Sequence, residues 1–203
     1  MSDIVSGVDS SSPCTQSSID CLKENGIQFV GRYYSRTTKV SGKKLTQAEA
    51  QLISQNDLEI VAVYEDGPTS ASYFSAARGT ADANGAMQQA AAIGQPDGSA
   101  IYFTVDYDAA AGDISGVITA YFQAVRAAIG DKFAVGVYGS GATCTAILGA
   151  KLADFAWLAQ STGWTGFTDF SDWSIKQGPE KSVCGLNSDL DDAHGDFGSF
   201  TVE

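Results

Sequence analysis

Ile101-Tyr102-Phe103-Thr104-Val105-Asp106-Tyr107-Asp108 sets the reading of the whole chain. Its first five residues are β-branched or aromatic and favour a pleated backbone. The run is almost wholly apolar up to Val105, as expected for a strand covered on both faces, and then turns acidic. Period-two alternation puts Ile101, Phe103 and Val105 on one face, suited to a layer of helices. Tyr102, Thr104, Asp106 and Asp108 share the other face. Two carboxyls two residues apart on one face lie within about 7 Å between Cα atoms. Like charges that close raise the pKa of one of them, and a carboxyl that keeps its proton near neutral pH can serve as a general acid. The other reading of such a pair is capping of the loop after the strand.

The segments on either side repeat a strand–helix pattern. Residues 4–9 read as a strand, followed by a Ser/Pro-rich loop and a helix over 17–25 closed by Gly26. A second strand spans 27–34. Thr46-Gln47-Ala48-Glu49 has the form of a capping box opening a helix to about Gln55. A third strand, 59–65, leads into an Ala-rich helical region, 71–93, interrupted by Gly79 and Gly85 and ended by Gly94 and Pro96. After the fourth strand, Ile114, Val117, Ile118, Tyr121, Phe122, Val125 and Ile129 recur at helical spacing. A fifth strand (133–138) and a short helix (142–149) follow. Beyond them the helical signal fades, and 155–160, 172–177 and 188–192 read as three strands joined by Gly-rich loops.

Five strand–helix units imply parallel crossovers. Eight strands in 203 residues predict an α/β fold, a small TIM-like barrel in one domain whose last helices are missing. An open doubly wound sheet would want a Gly-rich phosphate turn after the first strand, and Gly7-Val8-Asp9-Ser10 is not one.

Active sites of such barrels sit at the C-terminal ends of the strands. Polar residues there are Asp9, Arg32, Tyr64 with Glu65, Tyr138, Gln160, Gln177 and Asp189, expected to ring one mouth with Asp106 and Asp108. Tyr33, Tyr102, Trp157, Trp164 and Trp173 could supply faces for stacking sugars, or pack the core.

Composition narrows the chemistry. There are 24 Asp and Glu against 12 Lys and Arg, a net charge of -12, which disfavours nucleic acid and anionic lipid as partners. A single histidine, His194, cannot build an HExxH or Cys2His2 zinc site and is expected at the surface. Acid–base work by carboxyl pairs remains, and it requires no metal or organic cofactor. Met1-Ser2-Asp3 leads straight into a strand-like run, so no signal peptide is expected within the chain. No stretch reaches the length of a membrane helix. Cys14, Cys21, Cys144 and Cys184 contain no CxxC and allow three pairings. Cys14–Cys21 would close a short loop and Cys144–Cys184 a long one; all four could also be reduced.

Gly7-Val8-Asp9, Gly31-Arg32-Tyr33-Tyr34, Leu45-Thr46 with Glu49, and Ile60-Val61-Ala62-Val63-Tyr64-Glu65 occur in order along the chain. Then come Gly79, Asp82-Ala83, Ala86, Ala90, Gly94, Pro96 and Gly98, leading into the 101–108 run. This series resembles the glycoside-hydrolase-like domain of unknown function 1906, which is similar in turn to the family 25 lysozymes, N-acetylmuramidases that cleave peptidoglycan. The resemblance implies a (β/α)5(β)3 barrel and catalytic residues at Asp9, Asp106 with Asp108, and Asp189. The lysozymes carry a Glu as general acid where this chain has Asp108, one methylene shorter. A setback of about 1 Å can cost on the order of 100-fold in rate, which Glu65 could offset only if it points inward.

The expectation is therefore a monomeric, secreted, periplasmic or wall-associated peptidoglycan hydrolase. In it Asp108 would protonate the leaving oxygen, Asp106 would assist the oxocarbenium-like state, and Asp9 and Asp189 would place water and tune charge. Arg32, Tyr33, Tyr64, Glu65, Tyr102, Tyr138, Trp157, Gln160 and Gln177 would bind the glycan. The alternatives are a barrel that binds carbohydrate without cleaving it, or a secreted toxin or effector domain.

Overall fold

In the computed structural model, which describes residues 4–203, eight strands close into a barrel in sequence order. The reading of Met1-Ser2-Asp3 lies outside the described residues. The strands are β1 (Ile4–Ser10), β2 (Phe29–Tyr34), β3 (Glu59–Tyr64), β4 (Ala100–Thr104), β5 (Ala134–Gly139), β6 (Phe155–Leu158), β7 (Ile175–Glu180) and β8 (Ser188–His194). The helices are α1 (Gln16–Glu24), α2 (Gln47–Gln55), α3 (Ala76–Ile93), α4 (Ala111–Asp113), α5 (Thr119–Ile129) and α6 (Gly141–Gly149). A π-helical turn, Ile114–Ile118, joins α4 to α5, so five helical segments follow the first five strands and none follows the last three. This is the small TIM-like barrel expected.

Pairing is parallel from β1 through β7, whereas β8 runs antiparallel to both β7 and β1. The direction of β8 corrects one reading. Asp189 does not close the eighth strand; it stands near its start. Because β8 runs backwards, its beginning lies at the mouth where the other strands end, and Asp189 is registered directly opposite Asp9.

Alternation sorts the core into two shells. Phe29, Val61, Val63, Tyr102, Trp157, Ile175 and Ala193 fill the barrel interior. Ile101, Phe103, Val105, Val30, Tyr34 and Tyr64 pack outward under the helices with Ile19, Ile53, Tyr121 and Phe122. The face assignment made for β4 holds through Val105.

The expected break in the Ala-rich region is real at its start, where Ala71–Tyr73 is a separate 3-10 turn. Gly79 and Gly85 do not interrupt α3. A Cβ on Gly79 would stand 2.3 Å from the Tyr121 carbonyl oxygen, so the glycine lets the backbones of α3 and α5 approach closely.

Thr46 caps α2 by accepting from the Glu49 amide at 3.2 Å, but Glu49 does not complete the reciprocal box. Its carboxylate turns inward instead. It accepts from Arg32 Nε at 2.7 Å and Nη2 at 3.2 Å, and from the Cys14 amide at 2.8 Å. Arg32 is fully buried and also donates to the carbonyls of Ser10 and Gly42. Asp82, likewise fully buried, accepts from the hydroxyls of Tyr64, Tyr73 and Tyr121 and from Arg36.

One disulfide forms, Cys21–Cys184, with neither Cys14–Cys21 nor Cys144–Cys184. Ile19 and Leu22 face the core from α1, which leaves Cys21 on the side free to reach the β7–β8 connection. Cys14 and Cys144 are free and buried, and burial pushes both thiols up to about 12. The bridge spans 163 residues of sequence. Cys21→Ser is expected to cost about 2–4 kcal/mol, because the cross-link restricts the unfolded chain. Urea unfolding under oxidising conditions measures this, and a midpoint equal to that of the parent would refute it.

Candidate functional site

A cavity of about 260 Å³ opens at the C-terminal mouth of the barrel. Its walls carry the carboxylates Asp9, Glu65, Asp106 and Asp189, the rings of Tyr33, Tyr138 and Trp157, and the amides of Gln160 and Gln177, together with Val63, Thr104 and Ser161. Of the thirteen residues expected at the site, all but Asp108, Arg32, Tyr64 and Tyr102 line this cavity.

The strand residues arrive by alternation, whereas Gln160 and Ser161 reach the mouth from the loop after β6. On β2, Gly31 and Tyr33 point in while Arg32 and Tyr34 point out. The inner face of Gly31 is covered by Trp157 and the Asp9 Cβ, at 2.9 Å and 2.8 Å from where its own Cβ would stand. On β3, Val61 and Val63 face the interior, and Glu65, two residues on, continues that face into the cavity. Glu65 therefore points inward with these two valines, whose side of the sheet is the interior rather than the helix layer.

The carboxylates are held by a chain of donors. Tyr33 donates to Asp9 Oδ1 at 2.7 Å. Gln177 Nε2 bridges the β1 and β8 acids, donating to Asp9 Oδ2 at 2.8 Å and Asp189 Oδ2 at 3.2 Å. Gln160 Nε2 donates to Asp189 Oδ1 at 3.2 Å, and the Tyr138 hydroxyl donates to Gln177 Oε1 at 2.8 Å, which fixes the amide orientation. Lys43 pairs with Glu65 at 2.8 Å and lies over the Tyr33 ring, 4.4 Å from its centroid.

Acid strength follows from this crowding. Burial, opposed by the bonds from Gln177 and Tyr33, raises Asp9 to about 6. Asp106 is raised by burial and by the charge of Glu65, against a lowering contribution from Lys43. Asp189 is raised by burial and by Glu180. Carboxyls whose hold on a proton is raised by burial are the raw material of acid–base catalysis.

Four expected residues lie elsewhere. Asp108 is exposed, and its carboxylate caps the β6–β7 loop, accepting from the Thr165 amide at 2.9 Å and hydroxyl at 3.1 Å. Strand geometry ends at Thr104 and the Asp106 amide bonds to Pro68, so alternation no longer governs residue 108. Arg32 and Tyr64 point away from the mouth by the strand period, into the Glu49 and Asp82 networks. Tyr102 is inside the barrel but deeper, donating to the Phe197 carbonyl at 2.8 Å. Of the other candidate stacking rings, Trp173 stands against His194, with centroids 4.5 Å apart, so this histidine is half-covered rather than free. Trp164 is in the β6–β7 loop.

Sequence reasoning missed Lys43 and Asp191. Lys43 sits in a polar loop with no periodic signal. Asp191 had one: it is two residues from Asp189 on β8 and therefore on the same inner face. It is 2% exposed, and its Oδ1 accepts from Trp157 Nε1 at 3.1 Å.

The model of the Rv2525c-like, glycoside hydrolase-like domain matches residues 20–195. The uncharacterized protein YbfG of Bacillus subtilis is 31% identical over 194 residues, covering 88% of this chain and 26% of YbfG. The chain spans about a quarter of the length of the curated relatives it matches. Among solved structures, the Tat-secreted protein Rv2525c of Mycobacterium tuberculosis superposes with a TM-score of 0.83 at 22% identity, over 96% of this chain and 98% of that one. A muramidase from Acremonium alcalophilum superposes at 0.57 and 15% identity, over 95% and 94% of the two chains. A family 25 glycosyl hydrolase from Bacillus anthracis does so at 0.54 and 11%, over 96% and 93%. At these identities the structural likenesses establish a fold in common with muramidases.

Proposed function

Because the chain belongs to the Rv2525c-like, glycoside hydrolase-like domain family, we propose that its mouth binds and hydrolyses an amino-sugar glycan of the peptidoglycan type. The observation that carries this is the cavity itself, where four carboxylates with graded environments face a wall of Tyr33, Tyr138 and Trp157. Aromatic faces suit the apolar faces of sugar rings, and carboxyl pairs suffice for glycosidic cleavage.

The assignment of roles shifts with the geometry. Asp106 replaces Asp108 as the proton donor to the leaving oxygen, since Asp106 faces the cavity and its carboxyl is raised by burial. Asp9 and Asp189, joined through Gln177, stabilise the developing positive charge and orient water. Glu65 shares the cavity with Asp106 and its charge helps to raise that carboxyl, with Lys43 beside it. Export to the wall fits the reading, as the similar Rv2525c is Tat-secreted.

A second reading, a barrel that binds the glycan without cutting it, is favoured by the placement of Asp108 at the surface. Incubation with purified peptidoglycan and with chitin oligosaccharides, followed by mass spectrometry of the products, separates the two. New reducing ends support hydrolysis. Retention on insoluble wall without new ends supports binding alone. Absence of both cleavage and retention would sink both readings.

The site geometry also predicts unequal roles for the two acids of the 101–108 run. Asp108→Asn should leave glycan cleavage within about threefold of the parent, since an exposed loop cap contributes little. Asp106→Asn should lower it by about 100-fold or more, the usual range for a lost general acid. Equal losses in the two variants would return Asp108 to the mechanism.

A further inference from the structure

We propose that Asp191 is a positioning residue of the pocket: a neutral carboxyl whose Oδ1 anchors the Trp157 indole and whose proton leaves Asp9 as the titrating acid of the β1–β8 floor. It rests on the glycan reading only in taking Trp157 and Asp9 as parts of the binding surface.

The register defines the placement. Asp189 lies opposite Asp9, and Asp191 opposite Gly7, one inward layer deeper. Gly7 contributes no side chain, and the space beyond it is filled by the Phe29 ring, so β1 offers Asp191 no donor at that level. On the other side Asp191 is registered with Gln177. The Gln177 amide nitrogen is already committed to Asp9 and Asp189.

The remaining donors around the layer are spent as well. Tyr33 donates to Asp9, Tyr138 to Gln177, and Gln160 to Asp189. Trp157 has one N–H and gives it to Asp191 Oδ1. Asp191 Oδ2 is buried without a hydrogen-bond partner among the described residues.

The charges around Asp191 all have the wrong sign to hold an anion there. Asp9 faces it from β1 and Asp189 from β8, with Asp192 the next residue along β8. β6 and β7 present Trp157 and Gln177, which carry no charge, and β5 presents the Tyr138 hydroxyl. β3 brings Glu65 to the same mouth, and the lysine at that mouth, Lys43, is bound to Glu65. An ionised Asp191 would be a buried charge with one hydrogen bond and like-charged neighbours, which is costly. A protonated one leaves only a neutral hydroxyl poorly matched. Burial and the neighbouring Asp9 hold its carboxyl well above the usual carboxylate range.

The functional consequence lies in the division of labour. If Asp9 and Asp191 ionised together, their repulsion would push the two side chains apart and tilt the Trp157 indole that Asp191 holds. A neutral Asp191 keeps the indole edge pinned at 3.1 Å while Asp9 changes charge above it.

Carboxyl-carbon NMR on the ligand-free protein tests this directly. The Asp191 resonance should show no ionisation step between about pH 5 and 8, while that of Asp9 titrates near 6. Asp191→Asn replaces one neutral group by another that can still accept from Trp157. It should leave the Asp9 midpoint within about 0.5 unit and the Trp157 indole 1H–15N resonance near its parental position. Asp191→Ala should displace that indole resonance.

An Asp191 that ionises below about pH 5 would overturn the proposal. So would a fall of the Asp9 midpoint by about one unit or more in Asp191→Asn, or an unmoved indole resonance in Asp191→Ala. If Asp191→Ala fails to fold, the wild-type titration and Asp191→Asn decide alone. None of these readouts uses a glycan, so failure here leaves the glycan reading standing, and failure of glycan cleavage leaves this one standing.

Discussion

Arg32→Ala is expected to destabilise the barrel by about 3–5 kcal/mol, the cost of stripping one partner from a buried ion pair. The guanidinium is fully buried and makes bonds to three groups: the Glu49 carboxylate and the carbonyls of Ser10 and Gly42. Those groups belong to the end of β1, the loop before α2 and α2 itself. Its removal leaves the Glu49 carboxylate, also buried, with only the Cys14 amide and no counter-charge. In a chain of this size the melting temperature should fall by roughly ten degrees or more. Arg32→Lys should recover only part of the loss, because an ammonium cannot reproduce the planar fork. Chemical denaturation checks both variants, and a loss under about 1 kcal/mol for Arg32→Ala would mean the cluster is solvated rather than structural.

Asp9→Asn is expected to abolish glycan cleavage, by about 100-fold or more, while making the protein more stable at pH 8. The two effects have one cause. Burial raises Asp9 to about 6 in the folded chain, above the usual carboxylate range of an unfolded one. A carboxyl that holds its proton more tightly when folded stabilises the fold fully below about pH 4. That contribution is lost as the pH climbs through the folded value near 6. At pH 8 the wild type therefore carries a buried charge that the amide does not. Asparagine keeps one acceptor for Tyr33 or Gln177 and loses the other bond, so the net gain should be about 1–2 kcal/mol rather than the full linkage value. The difference should vanish or reverse near pH 4. Thermal melts of both proteins across pH, beside the peptidoglycan assay, read the two effects. A variant less stable than the parent at pH 8 would indicate that Asp9 is held mainly by its hydrogen bonds.

Both variants bear on how much of this molecule could be read from its residues. The strand–helix count, the closure into a small barrel and the inward turn of Asp9, Tyr33, Asp106, Trp157, Gln177 and Asp189 were legible, because strand period and hydrophobic pattern are local properties. Arg32 was misplaced for a reason equally local. It stands between Gly31 and Tyr33, so the period that turns Tyr33 inward must turn Arg32 outward, whatever its charge suggests near a strand end. Asp108 failed differently. Two-residue alternation fixes a face only within the sheet, and by residue 108 the chain has left it.

Partnerships between distant segments were not legible. Nothing near Cys21 announces Cys184, and the two meet only because the β7–β8 connection folds back over α1. Glu49 looks like a capping residue until Arg32 arrives from β2 to claim it. Asp82 looks like a solvated helix residue until three tyrosines close around it.

Sequence alone determined the acid excess, the order of the elements and which side chains share a face, since each depends on neighbours a few residues away. Tertiary structure decided the direction of β8, which brings Asp189 to Asp9 and buries Asp191 beneath them. It also decided which carboxyls stay at the surface and which are raised by burial. Acid strength depends on desolvation and on charges brought in from other strands, and neither exists until the barrel closes.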